Sequence, residues 1–310
     1  MKTLRGWRDL AAADRGACLA FGAFDGVHLG HQRVIRAATE AAQGQDAPLA
    51  AVAFEPHPWR WFHPDDPPFL LATPAQQARW FEALGVQKLY ILPFDDHLAG
   101  LSAEGFAKEV LADGLGIRHI VVGFDATFGR GRTGDPQLLK TLGDTLGFGV
   151  TVVPALADSS GDKLSSTHAR QALQQGDPKA AAAILGRPFA IEGEVVMGRQ
   201  LGRTLGFPTA NIALEDYVQP KLGIYATRTR LPDGRVLPGV ASVGSNPTTG
   251  LVEPRLEVFL FDFDEDIYGQ TIETELIDFL RPELKFDSLH ALVVQMNADS
   301  AKARQLLTAG

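Results

Sequence analysis

Residues 19–31, LAFGAFDGVHLGH, decide the fold of the N-terminal half of the chain. Their first four residues are an apolar run that is typical of a buried strand, and the glycines that follow permit a tight turn. A helix is expected to begin near Gly30. The N-terminus of a helix presents unpaired N–H groups and a positive dipole end to an anion. His28 and His31 lie three residues apart at this N-terminus, so both can point at one phosphate.

Similar short apolar runs continue through the first half of the chain. Further strands are predicted at residues 49–54, 88–92, 119–123 and 150–154. Asp135-Pro136 and Asp177-Pro178 are N-cap and proline pairs that mark helix starts. Alternating strands and helices predict a Rossmann-like α/β domain with a parallel sheet. Ligands bind beyond the carboxyl ends of such strands, so residues 22–31, 54–58 and 123–132 should share one edge of the sheet.

The pattern changes near residue 186, where short β-like runs replace helices. The candidate strands are residues 190–197, 223–230, 235–242, 256–263 and 271–279. Pro-Asp-Gly at 232–234 is a hairpin turn, and one long helix follows at 288–307 with Asp287 as the expected N-cap. Antiparallel strands followed by one terminal helix predict a small β-barrel. The predicted domains are therefore residues 1–186 and 187–310.

Composition excludes several classes of protein. The chain has 310 residues and a formal net charge of -8, which argues against nucleic acid as a partner. Its one cysteine, Cys18, lies in an apolar run and is expected to be buried filler in a reducing compartment. No run is long enough to cross a membrane, and the first residues do not resemble a signal peptide, so the predicted location is the cytoplasm. An oligomer is compatible with the sequence, which does not define an oligomeric state.

The histidine pair has alternative interpretations. Two histidines at a helix start can simply be satisfied by neighbouring groups. A zinc site is weakly supported, because His57 is the only obvious further ligand and zinc prefers three or four.

The C-terminal half contains its own unusual stretch, residues 194–211, EVVMGRQLGRTLGFPTAN. Backbone N–H groups in such glycine-rich loops can cradle phosphates, although an ordinary turn between strands fits the spacing equally well. Thr209 and Asn211 are two residues apart and face one way in an extended chain, as a magnesium site requires. Glu257 is charged within an apolar strand, so it either faces a polar pocket or lies on the solvent side.

The segment around His28 and His31 resembles the FDGVHxGH signature of prokaryotic bifunctional riboflavin kinase/FAD synthetases, within the wider HxGH nucleotidylyltransferases. The other matching segments, in chain order, are residues 54–58 (FEPHP), 121–135 (VVGFDATFGRGRTGD), 165–170 (SSTHAR), 198–211 (GRQLGRTLGFPTAN), 223–226 (GIYA), 239–248 (GVASVGSNPT), 256–263 (LEVFLFDF) and 279–289 (FLRPELKFDSL). This ordered set covers nearly the whole chain. The resemblance implies that the protein makes FMN from riboflavin in a flavokinase-like barrel and FAD from FMN in the N-terminal domain.

The resemblance also implies residue roles. His28, His31 and Glu257 would be catalytic, the histidines at the α-phosphate of ATP and the glutamate as base for the riboflavin 5′-hydroxyl. The implied nucleotide- and phosphate-binding residues are Gly22, Phe24, Gly30, Ser166, Thr167, Arg170, Gly198, Arg203 and Gly206. The implied flavin-binding residues are Asp125, Phe128 and Arg281. Thr209 and Asn211 would bind Mg²⁺, and the implied partners are ATP, riboflavin, FMN and FAD. The Ser165–Thr167 segment is also a plausible plain helix cap.

The sequence departs from the family pattern at four positions. Ala23 and Ser242 stand where the family has asparagine, Ala126 where it has an aromatic residue, and Ala169 where it has a branched aliphatic one. These changes motivate one alternative, a flavokinase whose N-terminal domain is weak or regulatory. A second alternative is a flavin-binding protein without activity, which has no need of a base and metal ligands. A third, an HxGH adenylyltransferase with an unrelated tail, does not explain the barrel motifs.

Overall fold

A computed structural model describes residues 1–157, 163–198, 205–246 and 251–308. The chain forms two compact units. The first unit comprises residues 1–66 and 74–164, and the second comprises residues 67–73 and 165–310. The functional boundary at residue 186 stays a prediction.

The first unit contains a six-stranded sheet in which every neighbouring pair is parallel. Its strands are β1 (Lys2–Arg5), β2 (Cys18–Phe21), β3 (Leu49–Glu55), β4 (Lys88–Pro93), β5 (His119–Gly123) and β6 (Gly149–Val153). They are arranged in the order β1-β4-β3-β2-β5-β6. The five predicted strands are confirmed within one or two residues. Strand β1 was not predicted, because its sequence KTLR has no apolar run and only its pairing with β4 makes it a strand.

Helices lie on both faces of this sheet. They are α1 (Leu29–Gly44), α2 (Pro58–Phe62), α3 (Pro74–Ala83), α4 (Asp96–Gly100), α5 (Ala103–Gly105), which continues as a π-helix over Phe106–Gly114, and α6 (Pro136–Leu146). The Asp135 carboxylate accepts a hydrogen bond from Leu138 N at 2.7 Å, so the predicted N-cap is confirmed.

Alternate residues of each strand supply two separate cores. Leu19 and Phe21 of β2 face the core beneath the π-helix and α6, whereas Cys18 and Ala20 face the core beneath α1. Cys18 is fully buried, and burial raises the pKa of its thiol. The prediction that Cys18 is buried is confirmed.

The second unit is a six-stranded antiparallel sheet that is nearly closed into a barrel. Its strands are β7 (Phe189–Glu194), β8 (Ala210–Ala213), β9 (Gly223–Arg230), β10 (Val236–Asn246), β11 (Leu251–Leu260) and β12 (Thr271–Arg281), in the order β7-β12-β9-β10-β11-β8. Just beyond β7, Val196 N donates to Asn211 O at 2.9 Å, which brings the two outer strands together. The barrel prediction and the hairpin turn at Gly234 are confirmed. Strand β8 was not predicted.

Three helices belong to the second unit: α7 (Ser166–Gln175), α8 (Pro178–Leu185) and α9 (Leu289–Thr308). Asp177 caps α8 through Ala180 N at 2.9 Å, as predicted. The predicted cap of α9 was wrong. Ser288 Oγ, not Asp287, accepts from Ala291 N at 3.1 Å, because Ser288 is the residue that directly precedes the first helical turn. Among the described residues, no helix is both long and apolar enough to span a bilayer.

Candidate functional site

The histidine segment lies where the order of the parallel sheet reverses. Strand β2 pairs with β3 on one side and with β5 on the other, so the chain leaves β2 at a switch point. Open parallel sheets bind ligands in the crevice that such a point creates at the carboxyl ends of the strands. The segments after β2, β3 and β5 therefore share one edge of the sheet, as predicted.

His28 is the N-cap of helix α1. Its Nδ1 atom accepts a hydrogen bond from His31 N at 3.3 Å, and the ring is only 7% exposed. The two imidazole rings stack with their centroids 3.6 Å apart. Because Nδ1 is the acceptor, the proton of the neutral ring lies on Nε2. The interpretation that neighbours satisfy these histidines is therefore correct for Nδ1 of His28, and it leaves the phosphate role as a prediction.

Gly30 allows the His28 ring to lie against the backbone of the first helical turn. A β-carbon at residue 30 would lie 2.9 Å from Cε1 and 3.0 Å from Nδ1 of His28. The other side of the pair rests on Phe24, which is fully buried and meets the His31 ring edge-on at 5.1 Å. Both rings of the pair are thus held by packing rather than placed on a flexible loop.

Two glutamine side chains hold the turn between β2 and α1. Gln77 Nε2 of α3 donates to Phe24 O at 3.0 Å, and Gln32 Nε2 donates to Val27 O at 3.0 Å. Phe24 and Val27 both have positive φ, at 53° and 38°, so the turn is an uncommon conformation that these bonds stabilise. Sequence reasoning missed Gln77, because it lies more than fifty residues from the turn.

The predicted flavin residues at the end of β5 have different surroundings. Asp125 is half exposed and forms an ion pair with Lys163, whose ammonium lies 5.1 Å from the centre of the exposed Phe124 ring. Phe128 is buried, and its ring contacts Gly134 and lies 5.9 Å from that of Phe106. Nothing in the sequence around Lys163 indicated that it would join Asp125.

The SSTHAR segment begins helix α7. Ser165 Oγ caps the helix by accepting from His168 N at 3.3 Å, so the plain-cap interpretation applies to Ser165. Ser166 and Thr167 form the first turn. Arg170 Nε donates to Phe69 O at 2.7 Å, and the guanidinium lies 5.4 Å from the centre of the Phe69 ring. Phosphate binding by Ser166, Thr167 and Arg170 stays a prediction.

In the barrel, three residues that belong to the matched motifs lie in one row across neighbouring strands. They are Asn211, Glu257 and Ser242. Glu257 of β11 lies directly opposite Asn211 of β8 on one side and Ser242 of β10 on the other. Directly opposite residues share a face of the sheet. The adjacent residues Leu256 and Val258 are fully buried in the barrel, so Glu257 belongs to the outer face, where it is half buried.

Asn211 lies beside Gly198. It is 6% exposed, and its Nδ2 donates to Thr209 O at 3.4 Å. A β-carbon on Gly198 would lie 2.7 Å from Cγ and 2.8 Å from Oδ1 of Asn211, so residue 198 can lie against the amide only because it is glycine. Gly206 has a φ of 85° and open space around it. Arg203 lies outside the described residues.

A pocket of about 240 Å³ is lined by Asn211 of this row, together with Gly198, Thr209 and residues 263–268 of the connection between β11 and β12. Val258 also lines it, whereas Glu257 and Ser242 are not among its lining residues.

Two acidic residues of that connection form ion pairs, Asp262 with Arg304 and Glu265 with Arg235. The sequence of this acidic segment, with Asp262, Asp264 and Asp266, favours an exposed hairpin turn. The three side chains are exposed, but the hairpin part of this prediction was wrong, because β11 and β12 are not neighbours in the sheet.

Arg281, a predicted flavin residue, is held by the terminal helix. Its Nη2 and Nε donate to the Asp299 carboxylate at 2.7 Å and 3.0 Å, and Gln295 Nε2 donates to Asp299 at 2.9 Å. Arg281 Nη1 also donates to the carbonyl oxygen of Pro282 at 3.0 Å. The guanidinium therefore joins the end of β12 to α9, and its contact with flavin stays a prediction.

Two family models match the chain in succession. The model described as FAD synthetase matches residues 10–168, and the model described as riboflavin kinase matches residues 185–307. Curated bifunctional riboflavin kinase/FMN adenylyltransferases are similar over nearly their whole length. The protein from Escherichia coli K12 is 38% identical over 98% of this chain and 97% of its own. The chain belongs to the bifunctional riboflavin kinase/FMN adenylyltransferase family.

Further relatives of this family have similar coverage. The Pseudomonas fluorescens protein is 40% identical over 99% of this chain and 98% of its own, and the Bacillus subtilis protein is 38% identical over 92% and 90%. One crystal structure, described as a macrolide-efflux protein from Streptococcus pneumoniae, has a TM-score of 0.87 and 35% identity, with coverage of 98% and 99%. The family predicted from the motifs is thus confirmed.

Proposed function

We propose that this protein phosphorylates riboflavin to FMN and then adenylylates FMN to FAD, using ATP in both reactions. The support is the presence of both family models in one chain and its similarity to curated bifunctional relatives. The observation that carries the proposal is the strand register, in which Glu257 lies between Asn211 and Ser242. This register brings a carboxylate that can act as a base next to side chains with oxygen atoms that can bind a metal. We place the protein in the cytoplasm because it has a single, buried cysteine.

For adenylyl transfer, the FMN phosphate oxygen attacks the α-phosphorus of ATP. The bond to the bridging oxygen breaks, and pyrophosphate leaves. Negative charge builds up on the α-phosphate oxygens, so catalysis consists of orientation and charge stabilisation. In this proposal His28 donates from Nε2, because its Nδ1 already accepts from the helix, and His31 is aligned with it by stacking. Gly30 keeps both rings close to the N–H groups of α1.

For the kinase reaction, the riboflavin 5′-hydroxyl must lose a proton as its oxygen attacks the γ-phosphorus, and ADP leaves. Glu257 is the proposed general base, a contribution of about 10²–10⁴-fold in rate. Its place on the outer face gives a carboxylate access to a substrate, whereas the inner face of the barrel is filled by Leu256 and Val258.

Thr209 and Asn211 fit a magnesium ion. Their neutral oxygens are hard donors, and Mg²⁺ keeps waters and binds phosphate oxygens, so it needs few protein ligands. The amide of Asn211 is already oriented, since its Nδ2 donates to Thr209 O and its Cγ lies against Gly198. A bound Mg²⁺ would neutralise the charge of the ATP phosphates. Groups of three or more His, Cys, Asp or Glu suited to a metal do not occur among the described residues.

The alternative of a flavokinase with a weak or regulatory N-terminal domain is not favoured. Ala23 and Ala126 remove side chains that the family has, but the histidine stack and its glycine are intact.

A product assay tests both activities. The purified protein is incubated with riboflavin and MgATP, and separately with FMN and MgATP, and FMN and FAD are resolved by chromatography. Wild type should make both products. Glu257→Gln should lose FMN formation by about 10²–10⁴-fold, while FAD formation from supplied FMN stays at the wild-type rate. Equal loss of both activities in a folded variant would refute the two-site proposal.

A further inference from the structure

Glu283 lies over the outer face of the barrel near Glu257. It follows β12, yet its carboxylate occupies the space above Gly244 of β10, where a β-carbon on residue 244 would collide with Oε1 and lie 3.4 Å from Cδ. The same β-carbon would be 3.6 Å from Ser242 Oγ. The Glu283 carboxylate therefore lies beside the row that contains Ser242 and Glu257.

The register shows that these groups face the same way. Gly244 and Ser242 are two residues apart on β10, so they share one face, and Ser242 is directly opposite Glu257. Glu283 is exposed and makes no hydrogen bond or ion pair with any part of the chain that the structure describes. Its oxygens can therefore accept hydrogen bonds from a ligand on this face.

The backbone that carries Glu283 is fixed from behind. Arg281 Nη1 donates to the carbonyl oxygen of Pro282, the residue before Glu283, at 3.0 Å. Arg281 is held in turn by Asp299 of α9, and the side chains of this ion pair are 15% and 7% exposed. These contacts restrain the backbone that carries Glu283 at the end of β12.

We propose that Glu283 binds the ribityl chain of riboflavin, accepting a hydrogen bond from a hydroxyl and so placing the 5′-hydroxyl at Glu257. The inference rests on the proposed kinase function. A carboxylate pairs well with a neutral polyol, which donates hydrogen bonds. A carboxylate repels phosphates, so Glu283 is suited to the ribityl hydroxyls rather than to ATP.

Two substitutions remove the carboxylate from this position by different routes. Glu283→Ala deletes it, and Gly244→Ala pushes it aside with a β-carbon. Gly244 has no positive φ, and the colliding atom is the far end of a flexible side chain, so Gly244→Ala should fold normally. Asp287→Ala is the matched control, because Asp287 is an exposed carboxylate in the same connecting segment.

Steady-state kinetics of FMN formation give the first result. Glu283→Ala and Gly244→Ala should each raise KM for riboflavin about tenfold or more, as expected for a lost hydrogen bond to a charged group. KM for MgATP and the rate of FAD formation from FMN should not change. Glu283→Gln, which keeps an acceptor oxygen, should restore part of the affinity, and Asp287→Ala should match wild type. An unchanged KM for riboflavin in Glu283→Ala would overturn the inference.

Lumiflavin has the flavin ring but a methyl group in place of the ribityl chain. Its binding therefore distinguishes a role of Glu283 in hydroxyl binding from a structural role. In fluorescence titrations, Glu283→Ala should weaken riboflavin binding and leave lumiflavin binding unchanged. Equal weakening for both ligands would mean that Glu283 supports the ring site or the fold, and would refute the proposal. A wild-type protein that makes no FMN would instead refute the kinase function itself.

Discussion

Replacing Gly30 with alanine should separate catalysis from stability in the N-terminal unit. The new β-carbon would lie 2.9 Å from Cε1 of His28, whereas carbon atoms in contact are about 3.5–4.0 Å apart. The His28 ring must therefore move by about 0.6 Å or more. Because it stacks on His31 at 3.6 Å, the displacement disturbs both rings.

The two stability effects of this change oppose each other. Loss of the His28 cap costs about 1 kcal/mol, and alanine in place of glycine in a helix gains about 0.8–1 kcal/mol. The free energy of unfolding should therefore change by less than about 0.5 kcal/mol. Misplacing a catalytic group by about 1 Å can cost about 10²-fold in rate, so FAD formation from FMN should fall by about that factor.

The assay compares kcat for FAD formation with kcat for FMN formation in the same preparation, together with urea unfolding. FMN formation serves as the internal control, since it is proposed to occur in the barrel. Gly44→Ala is the matched variant, because Gly44 ends the same helix and has open space around it. A Gly30→Ala protein whose kcat for FAD formation is within threefold of wild type would refute the role assigned to the histidine stack.

Three other changes have defined outcomes. Gly198→Ala should displace the Asn211 amide and raise KM for MgATP in FMN formation, with FAD formation from FMN unchanged; steady-state kinetics showing an unchanged KM would contradict the metal assignment. Asp299→Ala leaves Arg281 half buried without its carboxylate and should cost about 3 kcal/mol in urea unfolding, and a loss below about 1 kcal/mol would contradict the importance of this pair. Burial lowers the pKa of His119 from its ordinary value of 6.5. As the pH falls, His119 is therefore protonated in the unfolded chain before it is protonated in the folded protein. The free energy of unfolding should decrease from about pH 7 to about pH 5 for this reason. Urea midpoints should show a smaller decrease in His119→Gln, and an equal decrease would exclude His119 as its source.

The fold could be predicted wherever local pattern and final environment agree. Strand β5 was predicted at its observed bounds, His119–Gly123, because a strand buried on both faces must be apolar throughout. Strand β1 is the opposite case. Its residues Lys2–Arg5 are mostly exposed, and only parallel pairing with β4 makes them a strand. Strand β8, Ala210–Ala213, follows Pro208 in what looked like a loop, and its pairing with β11 comes from residues more than forty positions away.

The candidate site residues also differ in whether local sequence pattern could predict them. His28, His31, Thr209 and Asn211 were found because their spacing is local. The contacts that orient them were not found, because they come from distant residues: Gln77 holds the turn before His28, and Asp299 holds Arg281 from the last helix. The position of Glu283 above Gly244 depends on the path of the chain after β12, which no local pattern encodes.

A glycine lies against the polar side chain at three of the places where such a side chain is proposed to act. Gly30 lies under the ring of His28, Gly198 against the amide of Asn211 and Gly244 beneath the carboxylate of Glu283, and in each case a β-carbon would approach that side chain more closely than normal packing allows. In the sequence these glycines look like markers of flexible turns. None of the three has a positive φ, so backbone freedom is not the reason that glycine stands there. The reason is space: each missing β-carbon lets a polar group rest against the backbone. Alanine at these positions should therefore affect catalysis or substrate binding far more than stability, whereas alanine at Gly85 or Gly147, where φ is positive and no neighbouring atom is close, should do the reverse.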